Sequence, residues 1–421
     1  MVVLPSERKE GGARFRGPYL RLYASVPAAT PLTLRQTLAS YSANSVSSVC
    51  TNMATYTPES MVEAVRQSPP LDFSTPWNAA WAKDKVIVLT GGSSGFGAGF
   101  VEHWASLGAT VIFGDIDVER SDVLVRAVRK KTGRDNVHFV YCDVTKWQSQ
   151  VSLFKEAIKL SPTGGIDTVV ANAGIAGEDR FQRPYKIDTA EPPEPDFRIM
   201  DVNCTGLMYT AHLAYYYLPR NPGSEPCSPD SDPATRVRDR NLILMGSIAS
   251  LAPISAQPQY GAAKHAVLGL YRSLRCSSHY QGIRINMICP YFIETPIVLP
   301  AARVMLAGGG MGTVDDVVEA TTRLVADSRI VGRSIVIGPR AWVKQKDDGE
   351  WEVVEKGTPG SVEKPFWEPC ADDWEEVEAF NRNIIKTLNA YQALRGWRGW
   401  AWDIAKIAWA GLGFGGSAKK K

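Results

Sequence analysis

Two groups of residues in this chain could do chemistry together. The run Thr90-Gly91-Gly92-Ser93-Ser94-Gly95-Phe96-Gly97 could hold a dinucleotide phosphate, and Ser247, Tyr260 and Lys264 could move a proton. Gly91 lets the chain turn tightly, Gly95 lets the backbone approach a pyrophosphate, and Gly97 lets the next helix pack against a sheet. The run follows the apolar segment Val86 to Leu89 and opens a helical stretch, the context in which a glycine fingerprint carries weight. The start of that helix offers N–H groups and a positive dipole end to phosphates. Ser93, Ser94 and Phe96 complete the residues expected to line it.

The next strand ends at Asp115, eighteen positions beyond Gly97. A carboxylate there can accept hydrogen bonds from adenosine ribose hydroxyls and repels the extra phosphate of NADP. Position 94 is Ser, not Arg or Lys, so the turn places no cation for that phosphate. Both features favour NAD over NADP. The competing reading of Asp115 is a residue that merely closes the strand-end turn.

Lys264 lies four residues after Tyr260, so a helix would put both on one face. A free phenol titrates near ~10, too high for a base at neutral pH. A neighbouring cation and the positive ring of an oxidised nicotinamide favour the phenolate, as general base catalysis requires. Ser247, thirteen residues before Tyr260, could orient the reacting oxygen or simply cap the end of its strand. A Tyr-x-x-x-Lys pair alone is common, and its weight comes from the surrounding motifs.

The positioning elements are legible from residue 85 onward. Short apolar runs at Val86 to Leu89, Thr110 to Phe113, Val137 to Tyr141, Asp167 to Ala171, Leu242 to Met245, Ile283 to Ile288 and Ile335 to Ile337 alternate with helical stretches. That alternation predicts an α/β fold, a doubly wound parallel sheet (Rossmann-like) with flanking helices. Two polar, Pro-rich segments, Glu178 to Asp196 and Asn221 to Arg240, read as surface insertions.

In order along residues 83–338, these motifs resemble those of the short-chain dehydrogenase/reductase family. They comprise the glycine turn, Asp143 in Cys142-Asp143-Val144, Ala171-Asn172-Ala173-Gly174, Asn203 in Asp201-Val202-Asn203, Ser247-Ile248-Ala249-Ser250, Tyr260 with Lys264, and Cys289-Pro290. The resemblance implies that Tyr260 is the acid/base and that Ser247 orients the substrate oxygen. It implies that Lys264 binds the nicotinamide ribose and lowers the Tyr260 pKa, and that Asn203 holds a helix bend and a relay water. It places Asp143 and Val144 at adenine, Asn172, Ala173 and Gly174 beneath the cofactor, and Thr295 at the carboxamide, with Pro290 and Ile293 as further cofactor contacts. It also implies a homo-oligomer paired through Asn203 to Leu218 and Tyr260 to Ser277.

Three places depart from the family pattern. Tyr291 stands where a glycine follows Pro290, Gly338-Pro339-Arg340 replaces a glycine-rich ending, and Pro296 to Thr313 is a short segment suited to a mobile lid. The NAD preference and the Cys289-Pro290-Tyr291-Phe292 run are similar to 15-hydroxyprostaglandin dehydrogenase-like enzymes, including fungal members acting on polyketide intermediates.

Outside this core the chain divides into an N-terminal extension, 1–82, the NAD-binding domain, 83–340, and a C-terminal extension, 341–421. Gly11 to Pro58 lacks Asp and Glu but carries Arg14, Arg16, Arg21 and Arg35. It fits a disordered extension, a segment upstream of a start at Met53, or a mitochondrial presequence. Trp77 and Trp81 are expected to pack the lead-in on the domain. Arg395 to Leu412 holds Trp397, Trp400, Trp402 and Trp409 in an amphipathic pattern. It fits a tail packed on the protein or a peripheral membrane contact. Seven scattered cysteines without a C-x-x-C pair indicate neither a disulfide framework nor a zinc site, so no metal is expected. A net charge of +3 gives no reason to expect nucleic acid. A cytoplasmic location is expected, with mitochondrial as the alternative.

The resulting expectation is hydride transfer between NAD(H) and a lipophilic secondary alcohol or ketone. The rivals are an NADPH-dependent carbonyl reductase and a non-catalytic NAD-binding scaffold.

Overall fold

Apolar runs buried on both faces become the strands of one sheet, and the stretches between them become its covering helices. The computed structural model describes residues 67–179, 181, 191–231, 238–295, 310–346 and 351–369. Its first elements are β1 (Val86–Thr90), α1 (Gly95–Ser106), β2 (Thr110–Asp115), α2 (Val118–Thr132), β3 (Val137–Tyr141) and α3 (Trp147–Leu160). Next come β4 (Thr168–Ala171), α4 (Arg198–Met200), a π-helical turn (Asp201–Gly206) and α5 (Leu207–Tyr217). The rest are β5 (Asn241–Met245), α6 (Pro258–Arg275), β6 (Arg284–Pro290), α7 (Val314–Ala326), β7 (Ser334–Gln345), β8 (Trp351–Val353) and β9 (Val362–Trp367).

The strand order is β3-β2-β1-β4-β5-β6-β7, with every pair parallel. This is the expected doubly wound sheet. The order reverses between β1 and β4, which opens a crevice at the carboxyl ends of those strands, where such folds bind ligands. Successive residues of β1 feed opposite faces. Val86 and Val88 join Leu153, Phe154, Leu207 and Tyr271 in one core layer. Ile87 and Leu89 join Phe100, Trp104, Val317 and Leu324 in the other.

The sheet continues beyond residue 340. The first residues of β7 pair with β6, its last residues with β8, and β9 runs antiparallel along it from Val336 to Val343. The lead-in closes on the same edge: Phe73 meets Phe366 edge-on at 5.0 Å, and the Glu368 carboxylate accepts from Leu71 N at 2.7 Å and pairs with Arg333 at 2.9 Å. Trp81 is buried, and Trp77 lies edge-on to His103. This covering shields backbone groups that an open edge strand would expose. Residues 1–66, the Trp-rich segment and most of Pro296 to Thr313 lie outside the described residues. No helix among the described residues is long and apolar enough to cross a membrane.

At the amino ends of the strands lies a buried charged network. Asp167 Oδ2 accepts from Val86 N and Arg238 Nη1, both at 2.8 Å, and its Oδ1 accepts from Asn221 Nδ2 at 2.9 Å and Asp239 N at 2.8 Å. Arg284, fully buried, forks onto Asp239 at 2.7–3.2 Å and donates to the carbonyls of Leu324 and Val325.

Candidate active site

At the carboxyl end of β1 the backbone takes shapes only glycine tolerates well. Gly91 has φ +71° and Gly95 φ +53°. A Cβ on Gly91 would lie 2.8 Å from the Ala173 Cα, and one on Gly97 would collide with the Gly91 carbonyl oxygen. The first turn of α1 has no side-chain cap, since the exposed Ser94 at its N-cap makes no such bond. A bare turn feeding an uncapped helix start suits a diphosphate, so these residues fit a dinucleotide.

Asp115 ends β2 beside this turn. Its Oδ2 accepts from Ser93 N at 2.9 Å and its Oδ1 from Asp117 N at 3.0 Å, which fixes the carboxylate at the rim. Across the crevice, Asn172 Nδ2 donates to the carbonyls of Thr90 and Gly91 at 2.9 and 2.8 Å, and Ala173 N donates to Thr90 Oγ1 at 3.2 Å. The end of β4 is thereby locked to the end of β1. Asp143 Oδ1 accepts from Thr145 N and Oγ1, closing the turn after β3. Val144 is buried against Gly206 of the π-helical turn.

That turn carries Asn203, which is wholly buried. Its Oδ1 accepts from Ile175 N at 2.8 Å and its Nδ2 donates to Ile175 O at 2.7 Å. The extra residue of a π turn re-aims a side chain within a continuing helix. Here it reaches the loop after β4, and Gly174 passes close to the Asn203 side-chain oxygen Oδ1.

Ser247 follows β5 in extended conformation. Its Oγ accepts from Ala249 N at 3.1 Å while its own N–H donates to Ser250 Oγ at 3.2 Å, a reciprocal cap that fixes the hydroxyl. Capping and a role at the reacting oxygen are therefore compatible. Tyr260 opens α6 half-buried, with Ser247 as hydrogen-bonding neighbour. One turn later, buried Lys264 donates from Nζ to Met245 O at 2.9 Å, with Nζ 5.8 Å from the Tyr260 ring centroid.

The titration directions differ from the expected lowering of Tyr260 by Lys264. Burial raises the phenol above its ordinary value, the Ser247 bond pulls it back in part, and the Cys289 thiol raises it further. Burial lowers Lys264 to about 8. Cys289, pushed up to about 12 by burial, stays a thiol against Ser247 and Lys264. The sequence motif contained Cys289 without giving it this place.

Beyond β6, Tyr291 N donates to Ile337 O at 2.7 Å, and its ring, 36% exposed, stands edge-on to Phe292 at 4.8 Å. Ile293 and Thr295 are buried, and a Cβ on Gly95 would lie 3.9 Å from the Thr295 methyl. Thr295 thus lies beside the glycine turn, while the Ile293 side chain packs at Gly312. A backbone bridge from Ile293 to Gly312 closes the base of the intervening segment.

Comparison with known proteins agrees with this geometry. The short chain dehydrogenase family model matches residues 85–303. The chain is 30% identical over 306 residues to 5'-hydroxyaverantin dehydrogenase of Dothistroma septosporum, covering 70% of this chain and 95% of that protein. It is 32% identical to 5'-hydroxyaverantin dehydrogenase stcG of Emericella nidulans, covering 68% of this chain and 93% of that protein. The crystal structure of levodione reductase superposes with a TM-score of 0.50 at 23% identity, over 61% of this chain and 96% of that one, a likeness of fold.

Proposed function

We propose that this chain, which belongs to the short-chain dehydrogenase family, transfers a hydride between NAD(H) and a lipophilic secondary alcohol or its ketone. The observation that carries the reading is the Tyr260 phenol against the fixed Ser247 hydroxyl, at the crevice that also holds the glycine turn. Bound NAD would supply the hydride acceptor and, while oxidised, a positive charge beside the phenol.

Tyr260 takes the alcohol proton in the oxidation and returns it in the reduction. Ser247 donates to the same substrate oxygen and steadies its negative charge. Lys264, anchored on Met245 O, keeps spare N–H donors for ribose hydroxyls, and with a pKa of about 8 it stays mainly charged at neutral pH. Asn203 fixes the loop after β4 that forms one wall.

The choice of NAD within a family that uses either dinucleotide rests on Asp115. Its carboxylate is fixed at the rim, and Ser94 next to it offers no charge to a phosphate. The lipophilic substrate class rests on exposed Ile175, Phe197 and Tyr291, near the carboxyl edge of the sheet.

Thermal stabilisation by NAD and by NADP, measured on wild type and Asp115→Ala, tests the cofactor. Stabilisation by NAD, weakened by the substitution, is expected. A preference for NADP would shift the reading to the carbonyl reductase, and no response to either would favour the scaffold. Turnover is then followed by nicotinamide absorbance with lipophilic secondary alcohols.

A further inference from the structure

The loop after β4 is held at two places. Asn203 takes both the N–H and the carbonyl of Ile175. Four residues on, Asp179 reaches the start of α6, eighty residues away in sequence. Its Oδ2 accepts from Gln259 N at 2.6 Å, and its Oδ1 accepts from Gln259 Nε2 at 3.3 Å. The same Oδ1 accepts from Phe181 N at 3.1 Å, and Gln257 Nε2 donates to Gly177 O at 3.0 Å.

This contact completes something α6 lacks. The helix begins at Pro258, its N-cap residue Gln257 offers no side-chain cap, and Tyr260 lies in its first turn. A first-turn amide needs a partner from outside the helix, and a carboxylate there also suits the positive dipole end. Asp179 supplies both, one residue before the catalytic phenol.

The geometry points to Asp179 as a positioning residue that docks the loop Gly174 to Phe181 onto the first turn of the catalytic helix. It thereby sets the distance between the substrate-facing wall and Tyr260. Asn203 fixes the near end of that wall and Asp179 the far end, with exposed Ala176 and Glu178 between them. The glycine turn and Asp115 stand on other elements, so the clamp acts on substrate placement more than on dinucleotide binding. The kinetic part of this inference rests on the alcohol-oxidation reading above. The structural part does not.

The test uses the full chain and compares wild type, Asp179→Ala and Asp179→Asn. Amide hydrogen exchange is read in peptides covering 174–181 and 257–263. Losing a cap of this kind is expected to raise exchange in both peptides by about tenfold in Asp179→Ala, with other peptides unchanged. With 1-(2-naphthyl)ethanol as the lipophilic probe, KM is expected to rise about tenfold. The rise in KM should exceed any change in kcat or in NAD affinity.

Asp179→Asn keeps an acceptor oxygen and is expected to recover most of the loss. Unchanged exchange in Asp179→Ala overturns the clamp. So does a uniform rise across the chain together with weakened NAD binding, which would mean general destabilisation. The exchange readout needs no turnover, so a wild type inert toward the alcohol would count against the functional reading while exchange still decides the clamp.

Discussion

The two ends of the parallel sheet each bury charge, and they treat it in opposite ways. At the amino end, Asp167 receives four donors, and Arg284 spends its guanidinium on Asp239 and three backbone carbonyls. At the carboxyl end, Lys264 is nearly as deeply buried as Arg284. Among the described residues its one hydrogen bond is to Met245 O. Burial alone therefore does not separate structure from chemistry. A charge whose donors are all committed can only hold the fold together. A charge with donors to spare beside an open crevice can receive a ligand, and its shifted titration records the cost of waiting.

The comparison breaks most sharply when one group from each end is removed. Tyr260→Phe keeps the ring and deletes the acid/base. It is expected to lower kcat by about 10²–10⁴. NAD affinity and melting temperature should change little, which equilibrium binding and calorimetry would check. Arg284→Met should do the reverse. It leaves Asp239 buried without its main partner, so the expected loss of stability is about 3–5 kcal/mol. Denaturant unfolding measures that loss, and the fraction that remains folded should retain kcat. If Arg284→Met abolished turnover in folded protein, the two ends would be coupled and the division would fail.

Much of this was readable in the sequence because the physics was local. A strand buried on both faces must be apolar throughout, as Val86–Thr90 and Asn241–Met245 largely are. Tyr260 and Lys264 share a helix face at any i, i+4 spacing. Long-range pairings were not readable. Asp179 sits in a Pro-rich acidic segment where nothing marks it as the cap of a helix eighty residues on. β9 carries Glu363, Lys364 and Pro365, residues that speak against a strand and are tolerated because it lies on the edge. The upward direction of the Tyr260 shift was not readable because burial, which spacing does not reveal, is its largest cause.

Lys264 sharpens the comparison through pH. Its folded pKa, about 8, lies below the ordinary 10.5. Below about pH 8 the lysine is charged in both the folded and unfolded states, and the folded state bears the full desolvation cost. Between pH 8 and 10.5 the unfolded chain binds more protons, so stability rises with pH as the cost is relieved. The full effect is at most roughly 3 kcal/mol. Cys289 and Tyr260, both raised in the folded state, oppose this gain as pH passes their ordinary values of 9.0 and 10.0, so the Lys264 contribution is the difference between wild type and a variant without the lysine. Urea unfolding at pH 7.5 and 9.5 (about half a unit below the window and one unit inside its upper end) should show wild type gaining stability relative to Lys264→Met. The raised phenol adds a kinetic counterpart: alcohol oxidation should accelerate with pH over this range, because its base must be deprotonated, while ketone reduction should not.

Asp115 gives the smallest effect and the most selective. It belongs to the carboxyl end, yet both its oxygens already accept backbone N–H groups of the turn. It is therefore a structural carboxylate of the amino-end kind and, on the proposed reading, a ligand group as well. If the ligand role dominates, Asp115→Ala weakens NAD by about 1.5–3 kcal/mol, the range for a hydrogen bond to a charged group, and narrows the gap to NADP. If the structural role dominates, loosening Ser93 and Asp117 weakens both dinucleotides alike and leaves their ratio unchanged. Titrating both dinucleotides against wild type and variant separates the two, because the ratio of the dissociation constants responds to the charge and their common shift responds to the turn.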